Sequence, residues 1–246
     1  MADRGTRLPL LHLVPNLVTI LGLCAGLTAL RFAFDGHFQE AAGLVVFAAL
    51  LDAFDGLIAR KHDAASRIGA ELDSLAVFFN YGVAPALIVY RMCLGAAPDL
   101  GWTAALIFAV CACLRLARFN VSRDVPLTGR AHFVGVPAPA GAMLGLLPAF
   151  VTFAGLADAA AAPWLVVPWL AAVGLLMICR LRTFAPKGIR IARGGVRWLL
   201  VGAALVVGLA FARFWLLMVV LDLAYLASLV VAALAARRSR APHAGE

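Results

Sequence analysis

The chain has 246 residues, 64% of them hydrophobic and 14% charged, with a mean hydropathy of +0.96. A soluble domain is about half apolar and a quarter charged, and a fold of this size has too little interior to hide such a surplus. A water-soluble enzyme is therefore excluded, and lipid is the solvent for much of the chain. Gly and Pro show no period and polar content is low, which excludes a fibrous or disordered chain. The net charge of +8 comes without basic–aromatic interleaving, so no nucleic acid partner is expected.

A membrane span needs about 20 apolar residues. Eight such runs follow one another, at 13–34, 40–59, 71–92, 101–119, 137–156, 164–180, 196–212 and 214–236. They are long, rich in Leu and Ala, and lack the short alternation of a β-barrel. The fold class predicted is an all-α polytopic membrane protein with about eight transmembrane helices. No small-residue cleavage site follows the first run, so 1–12 reads as an N-terminal segment rather than a cleaved signal. Residues 13–236 form the membrane domain and 237–246 a basic tail. Five cysteines (Cys24, Cys93, Cys111, Cys113, Cys179) lie mostly in apolar runs without CxxC spacing, and read as small buried hydrophobes rather than a zinc or disulfide framework.

Basic residues divide by loop. Arg4 and Arg7 precede the first run, Arg60, Lys61 and Arg67 follow the second, and Arg115, Arg118, Arg123 and Arg130 follow the fourth. Six more, from Arg180 to Arg197, follow the sixth, and Arg237, Arg238 and Arg240 come last. Only Arg31, Arg91 and Arg213 are left for the opposite side. Positive loops stay in the cytoplasm, so both termini are expected there.

Acids are scarce, and three of them gather where a membrane protein can least afford them. In LDAFDGLIARKHDAASRIGAELDSLAVFFNYG (51–82), Asp52 and Asp55 stand three apart near the end of the second run, on one face of a helix. Asp73 opens the third run after a short polar loop, so three carboxylates can converge from two helices at one membrane rim. Ionisable groups in spans are functional candidates by default, and hard oxygen ligands of this kind suit Mg²⁺ or Mn²⁺. The plainer reading has Asp52 and Asp55 pairing with Arg60, Lys61 and Arg67 at the interface. Three acids with an interleaved Gly and Arg favour a site.

Asp52, Asp55, Gly56, Ala59, Arg60, Gly69 and Asp73 match, with the right gaps, the signature D-x2-D-G-x2-A-R-x8-G-x3-D-x3-D, and the chain resembles the CDP-alcohol phosphatidyltransferases. Segments 13–26, 69–76, 82–90, 115–121, 134–142 and 182–189 look like those of the bacterial members that use L-serine. The likeness runs from about residue 8 to about 235. It implies a six-helix core, often with two further helices, frequent homodimers, and a place in the bacterial cell membrane with the site on the cytoplasmic side. It implies transfer of a phosphatidyl group from CDP-diacylglycerol to an alcohol, here L-serine, with release of CMP. Carried over by position, Asp52, Asp55 and Asp73 are metal ligands for Mg²⁺ or Mn²⁺, while Gly56, Ala59, Arg60 and Gly69 bind the CDP moiety. Asn16 and Thr19 resemble an N-terminal motif near the nucleotide. Arg118, Asn120 and Lys187 are candidates for the acceptor or a lipid phosphate, and equally for interfacial anchors.

The signature's last aspartate, the family's proposed general base, falls at Val77. Valine neither binds Mg²⁺ nor accepts a proton. Asn80, two turns beyond Asp73, offers an amide oxygen to a metal but no base. No certain catalytic residue is assigned. An active enzyme is expected, the alternative being an impaired relative that binds CDP-lipid or partners an active paralogue. A transporter fits poorly, since transporters bind substrate at the bilayer midplane and the middles of these runs are nearly free of charge. Asp222, alone in the last run, is not accounted for by these readings.

Overall fold

A computed structural model describes residues 14–62, 67–123, 135–179 and 196–238, with side chains for all of these except 14–15, 55–62, 67–68, 122–123, 196–200, 203 and 235–238. The N-terminal segment 1–12, the loop carrying Lys187 and the end of the basic tail lie outside the described residues. Every regular element among the described residues is helical: α1 (Val14–Phe34), α2 (Phe38–His62), α3 (Arg67–Phe78), a π turn (Phe79–Val83), α4 (Ala84–Cys93), α5 (Pro98–Arg123), α6 (Ala138–Phe153), α7 (Pro163–Ile178), α8 (Val196–Ala212) and α9 (Phe214–Arg238). A short 3₁₀ turn (Ala159–Ala161) precedes α7. With α3, the π turn and α4 forming one rod, the helices coincide in position with the eight apolar runs. Four are long and apolar enough to cross a membrane: Asn16–Phe34, Gly69–Cys93, Pro98–Val121 and Phe214–Leu234. Helices α6 and α7 are shorter apolar helices of 16 residues each. The chain is thus an all-α polytopic membrane protein.

Local chemistry explains the breaks. After α1, Gly36 takes φ +85°. The N–H of His37 reaches the carbonyl of Phe32 and that of Gly36 the carbonyl of Ala33, a Schellman end that closes the helix's last carbonyls and turns the chain into α2. The two helices then pack through small residues: Ala25, Ala29 and Ala33 on α1, and Ala41, Ala42, Val45 and Ala48 on α2, are all buried. Small side chains bring membrane helices into close van der Waals contact, which matters most where lipid offers no hydrophobic drive.

The π turn has a local cause. Pro85 stands at the start of α4, has no N–H to give, and its ring crowds the carbonyl four residues back. The helix widens just ahead of it, and the N–H of Ala84 reaches the carbonyl of Phe79 instead. Asn80, Tyr81 and Gly82 are all buried there.

The core lies among α1 to α7, with Val219 and Leu229 of α9 joining it, and includes Phe108, Leu144, Leu146, Phe150, Leu170 and Met177. Helix α5 packs closely on α7, where a Cβ on Gly174 would lie 2.9 Å from the Phe108 Cα. At the C-terminal end, Trp215 of α9 stacks on Phe150 (centroids 5.7 Å apart) and meets Phe153 (4.9 Å), both of α6. Among the described residues α8 packs on α9 alone. Of the cysteines, Cys93 and Cys111 are buried as expected, whereas Cys24, Cys113 and Cys179 stand on exposed faces, which in apolar helices are faces open to lipid.

Candidate functional site

Asp52 lies on α2 and Asp73 midway along α3. Both carboxylates are half-buried. Helix α1 packs on both α2 and α3, while α2 meets the π turn and α4, so the π turn is where the two acid-bearing rods come together. Tyr81 stands in that turn, fully buried at 0% exposure. Its hydroxyl donates to Asp52 Oδ2 at 2.6 Å. A buried phenol needs such a partner, and the one it finds is a predicted metal ligand.

The third wall is α1. Thr19 and Gly22 are buried and Asn16 is half-buried, at spacings that put them on one helical stripe. Gly22 has no side chain, and a Cβ there would lie 3.6 Å from Asp52 Oδ1 and 3.6 Å from Asn80 Nδ2. The bare backbone therefore lets the carboxylate and the amide approach α1. Asn80, 0% exposed, donates from Nδ2 to the Gly22 carbonyl at 3.0 Å. Its Oδ1 is buried without a hydrogen-bond partner and rests over Gly26, where any Cβ would collide with it.

Asp55, Gly56, Ala59 and Arg60 lie on the last turns of α2. Asp55 is one turn beyond Asp52 on the same face, and the side chains of all four lie outside the described ones. Gly69 is half-buried at the start of α3. Val77 packs against the apolar core, so the expected base position carries a hydrocarbon with core neighbours. Asp52 and Asp73 offer hard carboxylate oxygens of the kind that Mg²⁺ and Mn²⁺ take, and among the described residues no group of three or more His, Cys, Asp or Glu is placed to hold a metal ion.

The RLARFN segment makes structural bonds. Arg115 Nε donates to the Val136 carbonyl at 2.6 Å, and the exposed Arg118 donates from NH1 to the Ile178 carbonyl at 3.1 Å. Each ties α5 to the end of another apolar segment. Asn120 Nδ2 donates to Ser74 Oγ at 3.1 Å, and Ser74 Oγ lies 3.1 Å from the Ala70 carbonyl, one turn back. Asn120 thus braces α3 one residue from Asp73. Asp222 is 5% exposed, and its Oδ2 and the hydroxyl of Tyr225 are buried without hydrogen-bond partners. Arg213 lies nine residues earlier, about 13 Å along a helix axis, and is exposed, so it is not placed to pair with Asp222.

Tyr81 and the Gly22–Gly26 pair are absent from the residues singled out by sequence. Both left a trace in it: a tyrosine two turns beyond Asp73 in an apolar run, and a G-x3-G spacing in the first span, which marks close helix approach.

Comparison with known proteins places these residues in context. The family model described as CDP-alcohol phosphatidyltransferase matches residues 12–177, a range that holds the six rods from α1 to α7 and leaves α8 and α9 outside. Among similar proteins, the CDP-diacylglycerol–serine O-phosphatidyltransferase of Mycobacterium tuberculosis (strain ATCC 25618 / H37Rv) is 48% identical over 149 residues, covering 58% of this chain and 52% of that protein. That of Mycobacterium leprae (strain TN) is 42% identical over 183 residues, 72% of this chain and 60% of the relative. That of Bacillus subtilis (strain 168) is 34% identical over 133 residues, 54% of this chain and 73% of the relative. The chain spans a little over half the length of the mycobacterial relatives it matches.

Proposed function

The chain belongs to the CDP-alcohol phosphatidyltransferase family, and from that premise we propose that it transfers the phosphatidyl group of CDP-diacylglycerol to L-serine, releasing CMP. The acceptor is argued from the relatives' shared name. The observation that carries the reading is the bond of the Tyr81 hydroxyl to Asp52, which ties the acid of α2 to the rod that also bears Asp73, within the span that the family model matches.

In this reading Asp52, Asp55 and Asp73 hold divalent metal against the diphosphate. When bound, Mg²⁺ or Mn²⁺ neutralises the diphosphate charge and polarises the phosphorus under attack. Gly56 and Ala59 leave room for the nucleotide, Arg60 meets phosphate with its charged fork, and Gly69, Asn16 and Thr19 line the same pocket. The serine oxygen forms a bond to the lipid-side phosphorus while the bond from that phosphorus to the CMP oxygen breaks, and the serine hydroxyl proton passes to solvent water. Val77 takes no proton, so the reaction runs without the roughly 10²–10⁴-fold help a positioned base supplies. Arg118 and Lys187 are assigned to the acceptor carboxylate and lipid phosphate, and Asn120 to bracing. The positive-inside rule supports the same reading, with both termini and this site on the cytoplasmic face of a bacterial cell membrane.

Purified protein in detergent, given CDP-diacylglycerol, Mn²⁺ and labelled serine, is expected to release CMP and form labelled phosphatidylserine. Absence of CMP release with serine, glycerol phosphate and inositol phosphate alike would overturn the proposal.

A further inference from the structure

Asp222 is the only acid in α9. It stands about 12 Å along the helix from Phe214, within a hydrocarbon core roughly 30 Å thick. An ionisable group at that depth is costly and marks a site by default. Asp222 is 5% exposed, and its Oδ2 and the Tyr225 hydroxyl, one turn on, are both buried without hydrogen-bond partners. Trp215 and Leu229 stand two turns to either side of Asp222 on the same face of the helix. Trp215 packs on Phe150 and Phe153 of α6 and Leu229 joins the core, so Asp222 and Tyr225 are turned inward with apolar packing above and below them.

The helix they face, α6, has no donor to spare. Its sequence, APAGAMLGLLPAFVTF, holds one polar side chain, Thr152. The Thr152 hydroxyl donates to the Pro148 carbonyl at 3.0 Å and accepts from the Ala159 N–H at 3.0 Å. The Leu144 carbonyl, which Pro148 leaves without its usual helical N–H, takes the indole N–H of Trp169 at 2.8 Å. The two oxygens on α9 therefore find no partner across the interface, and buried polar groups are rarely left in that condition.

We infer that Asp222 and Tyr225 form a binding site for one internal water between α9 and α6, which donates to Asp222 Oδ2 and accepts from the Tyr225 hydroxyl. Internal waters make about two to four hydrogen bonds to otherwise unsatisfied groups and are costly to remove, and a bridging water is nearly as good as a direct bond. A divalent metal takes about six or more oxygen ligands, and this face offers two polar side chains. Among the described residues α8 packs on α9 alone, and α9 meets the core through α6. The bridge thus gives the α8–α9 hairpin a polar hold on the core beside the aromatic one at Trp215. The site lies outside residues 12–177 and does not depend on the reaction proposed above.

The test is X-ray radiolytic labelling of the full chain in detergent, in which hydroxyl radicals made from water mark the side chains beside it. Tyr225 is expected to take the label and Phe150, 0% exposed among apolar neighbours, to take none. After rapid mixing into heavy-oxygen water, the exposed Trp164 is expected to gain the heavy isotope at once and Tyr225 only after a delay, as a trapped water exchanges. Asp222→Leu is expected to lose most of the Tyr225 label, and Asp222→Asn, which keeps an acceptor oxygen, to retain it. An unlabelled Tyr225 in the wild-type protein would overturn the inference, and so would immediate uptake of the heavy isotope, because the label would then come from bulk water. A Tyr225 label unchanged in Asp222→Leu would overturn it as well. A wild-type label that appears only when Na⁺ is replaced by choline would mean that a cation holds the place instead. The two wild-type readings decide the matter even where Asp222→Leu fails to fold.

Discussion

The amide of Asn80 is bonded to the carbonyl of Gly22 at 3.0 Å, and this one link joins the π turn to the first helix beside the acidic site. Its side chain lies across two glycines one turn apart, and the two differ in how much they tolerate. A Cβ on Gly22 meets only ordinary contacts at 3.6 Å, whereas one on Gly26 overlaps the Asn80 amide. Gly26→Ala is therefore expected to cost about 1–3 kcal/mol as an overpacked core does, and Gly22→Ala to stay close to the wild type in stability. Thermal unfolding of the two variants in the same detergent checks the contrast, and equal melting temperatures would contradict it.

Asp55→Ala is expected to abolish divalent-metal-dependent binding of CDP-diacylglycerol while leaving the helical content unchanged. The acid stands one turn from Asp52 on α2, and in the proposed reaction the two share the neutralisation of the diphosphate. Binding of CDP-lipid in Mn²⁺ against binding in chelator is the measurement. Unchanged metal dependence would remove Asp55 from the ligand set.

Val77→Asp restores a carboxylate one helical turn from Asp73. Initial rates of CMP release are expected to rise by about 10²-fold, the lower end of what general-base catalysis contributes. Because Val77 packs against the core, the new acid is also expected to lower the melting temperature in chelator and recover part of it in Mn²⁺. A rate equal to the wild type would mean that the proton already has an acceptor.

Asn120 and Arg118 lie two residues apart and are expected to separate cleanly. Asn120→Ala and Ser74→Ala each remove one partner of the same bond, so each is expected to lose about 0.5–1.5 kcal/mol without a change in serine KM, and the double variant to lose less than the sum. Arg118→Ala is expected to raise serine KM. A raised KM for Asn120→Ala instead would make it a substrate contact.

The sequence carried the helices and the acids well, because both signals are coarse. Long apolar runs announce spans by length, and scarce charges stand out inside them, so the helices among the described residues and the acids on α2 and α3 were legible from 246 letters. What was not legible depends on angles. FNYGV reads as continuous helix, and only Pro85 hints that the turn before it is wide. Without that widening nothing in the string places Tyr81 on Asp52, or Asn80 on Gly22. Asn120 is a second case: its amide is bonded to Ser74, 46 positions earlier, a contact that no spacing announces. Spacing rules reach along one helix, and these contacts run between helices.

The wide turn at Phe79–Val83 also sets a phase. A π turn holds one residue more than an α turn would, and one residue is about 100° of rotation. The buried face of α4, with Ile88, Val89 and Cys93, is thus in step with the core only because that extra residue is present upstream. Removing any single residue between 79 and 83 would turn this face towards lipid and swing the phenol away from its acid together. Exchanging a residue there for another of similar size disturbs one contact. In this segment the number of residues is the inherited quantity that has to be kept, and the membrane packing of one helix end and the chemistry of the other share it.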